Sequence, residues 1–369
     1  MRAIKVLTVI CWLIAAIALT GLAIWFMTGT IFGIGSARWN NEEGGRNVPF
    51  GVNIGNWEAL TGPFEIDGVY NIGTDGVKSI SIDWVAGEIT VKPYDGDDVK
   101  ITEYAQRKLS SDEKIHIANY GSTINLKYRE KNNWTNMPRK KLEVLIPRSL
   151  CDNLYSLQID SISGSVNADE ITAEIFRVET TSGSIHIGDI SSEKFTLNSI
   201  SGSITATSVS ADDMKIESSS GSVHVNSSSA KTLDCETISG SISVNGSFDW
   251  TKLNSTSGRQ SLDNSAHAST LYVETISGSQ ELSGSFSSVK LDSSSGSIKI
   301  TSTIVPSSLH VEAISGGVTI TVPGGEPVTV RQSTISGRFS SDIPVILQNG
   351  ESQFNISTTS GSIRIYALG

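Results

Sequence analysis

From about residue 151 onward the apolar residues fall into a repeating pattern. Phe176 and Val178, Phe195 and Leu197, Leu233 and Cys235, and Leu271 and Val273 each stand two apart. Each pair leads into a Ser-Gly dipeptide, and most copies continue into a second apolar pair such as Ile185 and Ile187, Ile204 and Ala206, or Val223 and Val225. A spacing of two is the period of a strand with one buried face. Every copy therefore predicts strand, corner, strand, and then a looser link such as GDISSEK to the next copy.

Aligned on the glycine, the copies carry Gly164, Gly183, Gly202, Gly221, Gly240, Gly258, Gly278, Gly296, Gly316, Gly337 and Gly361. Each is preceded by serine: Ser163, Ser182, Ser201, Ser220, Ser239, Ser257, Ser277, Ser295, Ser315, Ser336 and Ser360. The interval stays at about 19 residues, and a fixed period of that size marks a stacked repeat. Antiparallel hairpins with Ser-Gly tips also give strand, corner, strand. Hairpin tips favour Asn-Gly or Asp-Gly, however, and they give no reason for like residues to recur at like offsets. A parallel β-solenoid (β-helix) does give one, because equivalent positions stack about 4.8 Å apart, and it is the predicted fold.

The inward positions lie at odd offsets before the glycine and even offsets after it, so the side-chain alternation changes phase there. Glycine can take such a corner with φ > 0 and no Cβ clash. The serine before it is expected to point inward and to build a buried hydroxyl column, one in which Ser→Val would be poorly tolerated. Two residues before the glycine, Ile alternates with Thr or Ser from Ile162 and Thr181 to Ile314, and falls out of step at Ile335. The Thr/Ser copies tend to carry a base three residues after the glycine, at His186, His224, Lys299 and Arg364.

Ahead of the repeats, SIDWVAGEITVKPYDGDD reads as a degenerate coil with its corner at Gly87, and KIHIANYGSTINLKY as another at Gly121. KKLEVLIPRSL reads as a strand closed by a Pro-limited turn. The uncharged run Val6 to Phe32 exceeds the roughly 20 residues a helix needs to cross a bilayer. It is longer than the apolar stretch of a signal peptide, and Trp25, Phe26 and Phe32 crowd the end where cleavage would fall, so it predicts an uncleaved anchor. The expected organisation is a cytoplasmic N-terminus 1–5, a transmembrane helix 6–33, a linker 34–67, divergent β-coils 68–150 and the regular solenoid 151–369. The basic residues Arg2 and Lys5 precede the span, which places the large C-terminal part outside the cell membrane.

A net charge of −10 with no Lys/Arg cluster argues against a nucleic-acid partner. Three cysteines, Cys11, Cys151 and Cys235, suggest no disulfide framework, with Cys235 at an inward position. The five histidines are scattered, and the reiterated Ser-Gly pair is not the G-x-S-x-G of a nucleophile elbow. No catalytic residue and no cofactor is expected. Four residues before the glycine lies the one polar set of interest: Asp160, Glu179, Asn198, Glu217, Glu236, Asn254, Glu274, Asp292 and Glu312. Stacked, these form an outward acidic file, which reads either as a solvated edge or as oxygen ligands for Ca²⁺.

The N-terminal span, the opening SIDWVAGEITVKPYDGDDVKI, the LEVLIP strand and the reiterated ISGSI and TSGSI coils resemble an adhesin-like bacterial family defined by a domain of unknown function with β-strand repeats. The resemblance covers residues 68–369 and implies a β-helix-type fold without catalytic residues. These readings predict a membrane-anchored β-solenoid serving as a non-catalytic adhesion, binding or scaffold surface of the bacterial cell envelope. A regulatory or sensory ectodomain and a carbohydrate-active β-helix enzyme are the alternatives. The expected partners are the membrane, a protein or cell-surface glycan, and a second copy reached through an uncovered last coil at 354–369.

Overall fold

The apolar pairs on either side of each corner form two strands, and each strand pairs in parallel with its counterpart one copy away. Phe176 lies opposite Phe195 and Met214 opposite Leu233; past the corner, Ile185 lies opposite Ile204 and Val223 opposite Ile242. The structure, a computed structural model, describes residues 62–130, 137–325, 327–346 and 350–369. They fall in one unit, Asn56–Gly369, which is all-β apart from the single helical turn Arg148–Cys151. The predicted span 6–33 lies outside the described residues, and among those described no helix is long and apolar enough to cross a membrane. The first strand, Glu65–Ile72, begins inside the segment expected to be linker.

Two parallel faces enclose the core. Strands such as Ile171–Thr180 and Ile190–Ser199 build a long-strand face, and Ile185–Gly188 and Ile204–Thr207 build a short-strand face. Leu157, Phe176, Phe195, Met214 and Leu233 are buried from one side, and Val166, Ile185, Ile204, Val223 and Ile242 from the other. Each such side chain contributes about 1.5–3 kcal/mol of burial. Like stacks on like: the rings of Phe176 and Phe195 lie 5.3 Å apart at 10° to each other.

The glycine column sets the spacing of the corners. A Cβ built on Gly183, Gly202 or Gly221 would sit 1.8–1.9 Å from the carbonyl oxygen of the corner glycine one rung earlier. No side chain fits there. From Gly164 to Gly240 this close approach, and not a positive φ, is what requires glycine; among the eleven corners from Gly164 on, φ is positive, at 127–154°, only in Gly258, Gly278, Gly296, Gly316 and Gly361.

The two kinds of corner bond differently. In the earlier rungs the corner N–H donates to the hydroxyl three residues back: Gly164 to Ser161, Gly183 to Thr180, Gly202 to Ser199, Gly221 to Ser218 and Gly240 to Thr237, at 2.8–3.0 Å. From Gly258 onward the N–H instead donates across the stack, as Gly258 does to the Ser277 carbonyl and Gly296 to that of Ser315, at 3.0 and 3.1 Å. The hydroxyls of Thr275, Ser293 and Thr358 are then buried without a partner.

This corrects the expected serine column. Ser163 is half-buried, and Ser182, Ser201, Ser220, Ser239, Ser257, Ser277, Ser295, Ser315, Ser336 and Ser360 are exposed. In the earlier rungs the strand ends three residues before the glycine, as Ile171–Thr180 does before Gly183, and in the later ones it runs to the serine, as Ile242–Ser257 does before Gly258; in both the buried hydroxyl is the one three residues back.

Both ends depart from chain order. Gly87 is a corner as expected, with Gly164 stacked on its carbonyl. On its other side lie Thr123–Lys127 and Lys140–Pro147, after which the chain returns past Gly87 to begin the regular rungs. Gly121 is not a corner but the tip of an antiparallel hairpin joining His116–Tyr120 to Thr123–Lys127. Antiparallel strands Val99–Ala105 and Glu65–Ile72 close the other face. Beneath them the fully buried Lys140 ammonium lies 2.8 Å from Glu103 and 3.9 Å from the centre of the Tyr128 ring, and burial lowers its pKa to about 8 against the pull of Glu103.

At the far end the chain skips a rung and comes back to fill it. Gln353–Ser360 lies between Ser308–Ser315 and Val328–Ser336, and Ile363–Leu368 lies between Val318–Pro323 and Phe339–Ser341. Gly361 stacks on Gly316, and Gly337 on Gly361. The expectation of an uncovered last coil at 354–369 is therefore wrong: that coil is paired on both sides, and 328–346 forms the end. In spatial order the alternation runs Ile314, Thr359, Ile335 and keeps its step.

Two pairs of variants test the corners by thermal unfolding. Gly221→Ala is expected to cost about 3 kcal/mol or more through overpacking. Gly317→Ala, whose Cβ would meet nothing closer than 3.7 Å, should change stability by less than about 0.5 kcal/mol. Ser218→Ala strands the Gly221 N–H and should cost about 1–3 kcal/mol, whereas Ser293→Ala removes a hydroxyl that has no partner and should be neutral or stabilising. Equal effects within either pair contradict the assignment.

Candidate functional site

In-register stacking puts every residue four before a corner glycine onto the long-strand face in one file. The registers place Asp160 beside Glu179, then Asn198, Glu217, Glu236, Asn254, Glu274, Asp292 and Glu312 in turn. The file begins one rung earlier than expected, because Asp83 lies four before Gly87 and pairs with Asp160. Asp160 is buried, Glu312 is exposed, and the members between them are half-buried.

Stacked carboxylates about 4.8 Å apart repel one another. A second file, six before the glycine, relieves most of this. Arg177 reaches Glu179 at 2.5 Å, Lys215 reaches Glu217 at 2.7 Å, Lys252 bridges Glu236 at 2.5 Å and Asp234 at 3.4 Å, and Lys290 reaches Asp292 at 2.9 Å. The two asparagines act as spacers: Asn198 donates to Glu179 at 2.8 Å and Asn254 to Glu236 at 3.1 Å. Tyr272 donates to Glu274. Burial alone would lower the pKa values of Lys215 and Lys252, but their carboxylate partners outweigh it and raise them. The result from Arg177 to Asp292 is a ladder of alternating charge, in which interleaved cations offset most of the repulsion that made Ca²⁺ attractive.

The signal for this second file was present in the sequence as RVE, KIE, KLD and HVE, a base two residues ahead of each acid on the same strand face. Sequence reasoning followed the acids and missed the bases.

Cation pairing is absent at Asp160, which has no hydrogen bond or ion pair among the described residues. Burial, then Glu179 and Asp83, raise its pKa to about 6, with Arg177 opposing. Burial also raises that of Asp83, with Lys127 opposing. Elsewhere, an open groove of about 340 Å³ is lined by Ser228, Asn245, Gly246, Asp263 and Ser265. The corner glycines and exposed serines frame the ladder along one edge. The thiols of Cys151 and Cys235 are free and buried, and burial raises both pKa values.

The family model Toastrack DUF4097 matches residues 77–249 and 247–365. No curated protein matches the chain. Among solved structures, a candidate adhesin from Parabacteroides merdae is 12% identical with a TM-score of 0.38, covering 81% of this chain and 95% of that one. A candidate adhesin from Parabacteroides distasonis is 12% identical at TM-score 0.40, covering 84% and 100%. A candidate lipid-binding protein from the same organism is 14% identical at 0.37, covering 84% and 99%. Scores this low do not place residues of one chain on another.

Asp160 supplies a pH test. Its folded-state pKa is raised, so its ionised form destabilises the fold above about pH 6, and the penalty disappears as pH falls from about 6 to about 4. Asp160→Asn should therefore gain up to about 3 kcal/mol at pH 7 to 8. The gain, measured by denaturant unfolding against the parent chain, should vanish near pH 4. A variant no more stable at pH 7.5 than at pH 4, relative to its parent, contradicts this reading.

Proposed function

Because this chain belongs to the Toastrack DUF4097 family, we propose that it is a non-catalytic adhesion, binding or scaffold surface of the bacterial cell envelope, held at the membrane by residues 6–33 with its β-structure outside the cell. One observation carries the reading. The long-strand face presents a ladder of alternating charge from Arg177 and Glu179 to Lys290 and Asp292 on a parallel sheet, with these side chains already positioned by their ion pairs. Pre-organised charges lose little entropy when a partner docks, and complementary charge sets register and encounter rate. The partner that fits is a protein or charged glycan surface whose own charges interleave with the ladder.

No enzyme is proposed, because the carboxylates that would serve as acid and base are spread along the stack and most are neutralised by bases beside them. The uncharged run Val6 to Phe32 supports the anchor, by length and composition.

The test uses cells carrying the full chain. A variant with Arg177→Gln, Lys215→Gln and Lys252→Gln, shown by unfolding to be folded, should lose most of the attachment that the parent confers. Raising salt should weaken the parent in the same way, since exposed charges are screened within about 8 Å at physiological ionic strength. Attachment that is unchanged in the variant and insensitive to salt sinks the proposal. External protease that leaves the β-structure intact in whole cells, yet digests it in lysed cells, sinks the topology.

A further inference from the structure

At one rung of the ladder a histidine stands at the offset that Arg177, Lys215, Lys252 and Lys290 occupy elsewhere. Six residues before Gly316 stands His310, whose Nε2 lies 3.4 Å from Glu312 Oε1. Asp292, one rung earlier in register with Glu312, completes a set in which one ligand atom from each residue lies within 4.8 Å of the others. We propose that Asp292, His310 and Glu312 form a binding site for a divalent transition metal of the zinc type.

The geometry favours a four-coordinate metal. Donors at about 2.0–2.1 Å in a tetrahedron stand roughly 3.3 Å apart. The His310 to Glu312 edge already has that length, and Asp292 places a carboxylate oxygen within 4.8 Å of both. Its ion pair with Lys290 uses Oδ2 and leaves Oδ1 for the metal. The donor set selects the metal. Calcium takes six to eight oxygens, whereas one imidazole nitrogen with two carboxylates suits zinc and its neighbours.

The reordered end of the stack shapes the surroundings. Because the chain returns to fill a skipped rung, His310 lies beside Asn355 and Glu312 beside Ser357. The next rung therefore brings neutral oxygen donors and no competing cation. Had the rungs followed chain order, the neighbour of His310 would have been Arg331. The fourth position is left for water or for an oxygen of Asn355.

The site stands apart from the adhesion reading and is tested without it. The full chain, titrated with Zn²⁺ in a non-chelating buffer, should bind one equivalent by calorimetry. His310→Ala and the double variant Asp292→Asn, Glu312→Gln should each weaken it at least about ten-fold, since even outer partners of a metal ligand are worth 10–100-fold. His267→Ala, which alters an exposed histidine outside this cluster, should bind as the parent does. Substituted Co²⁺ should show the intense visible bands of tetrahedral coordination and lose them in His310→Ala. Excess Ca²⁺ should not displace the zinc. Unchanged zinc affinity in His310→Ala, or displacement by Ca²⁺ at similar concentration, overturns the proposal and returns these residues to the general charge ladder.

Discussion

Everything in this fold depends on how closely successive corners approach. The carbonyl oxygen of one corner glycine occupies the volume where a Cβ of the next would be, 1.8–2.2 Å away, from Gly164 through Gly361 and Gly337. No other residue allows that approach, so the glycine column locks every rung in register with its neighbours. Once the register is locked, each offset from the glycine becomes a file along the stack.

Stacking like on like suits some residues and penalises others. Apolar files gain contact, as Phe176 and Phe195 do. Hydroxyl files can link rungs, since Thr237 accepts from the Gly240 N–H and also donates to the Gly221 carbonyl. Carboxylate files gain nothing from one another, and the chain compensates with bases two residues earlier and with asparagine spacers. Where compensation lapses, chemistry concentrates. The uncompensated Asp83 and Asp160 lie at one end of the ladder, and the histidine in place of a lysine lies toward the other.

The ends of the stack answer the open-edge problem that any parallel repeat creates. The first end is closed by antiparallel strands and by an enclosed Lys140 and Glu103 pair, which breaking would leave as an isolated buried charge. The second end is closed by a rung that keeps Val330 opposite Phe354 and Phe339 opposite Ile363 but places polar residues at other inward positions. Gln332 is in register with Ile356, and Ser341 with Ile365. A rung with a partly polar inner face suits solvent beyond it, which fits its place as the last layer and not a middle one.

The corners, the two strands of each copy, the parallel stacking and the acidic file were all legible in the sequence, because each follows from a local period and a recurring residue type. The rung order at the ends was not, although the step lost at Ile335 was its trace: threading Thr359 between Ile314 and Ile335 restores the alternation. The hydroxyls three and one before the glycine were both expected to point inward, and only the former does, for a related reason. Strand parity fixes which side chains share a face, but only the hydrogen bond from the glycine N–H decides where the backbone leaves the strand. The sequence by itself determined which residues repeat and how often. The tertiary structure decided which copies touch, and so which charges face each other, because contacts between rungs are set by stacking order and not by distance along the chain.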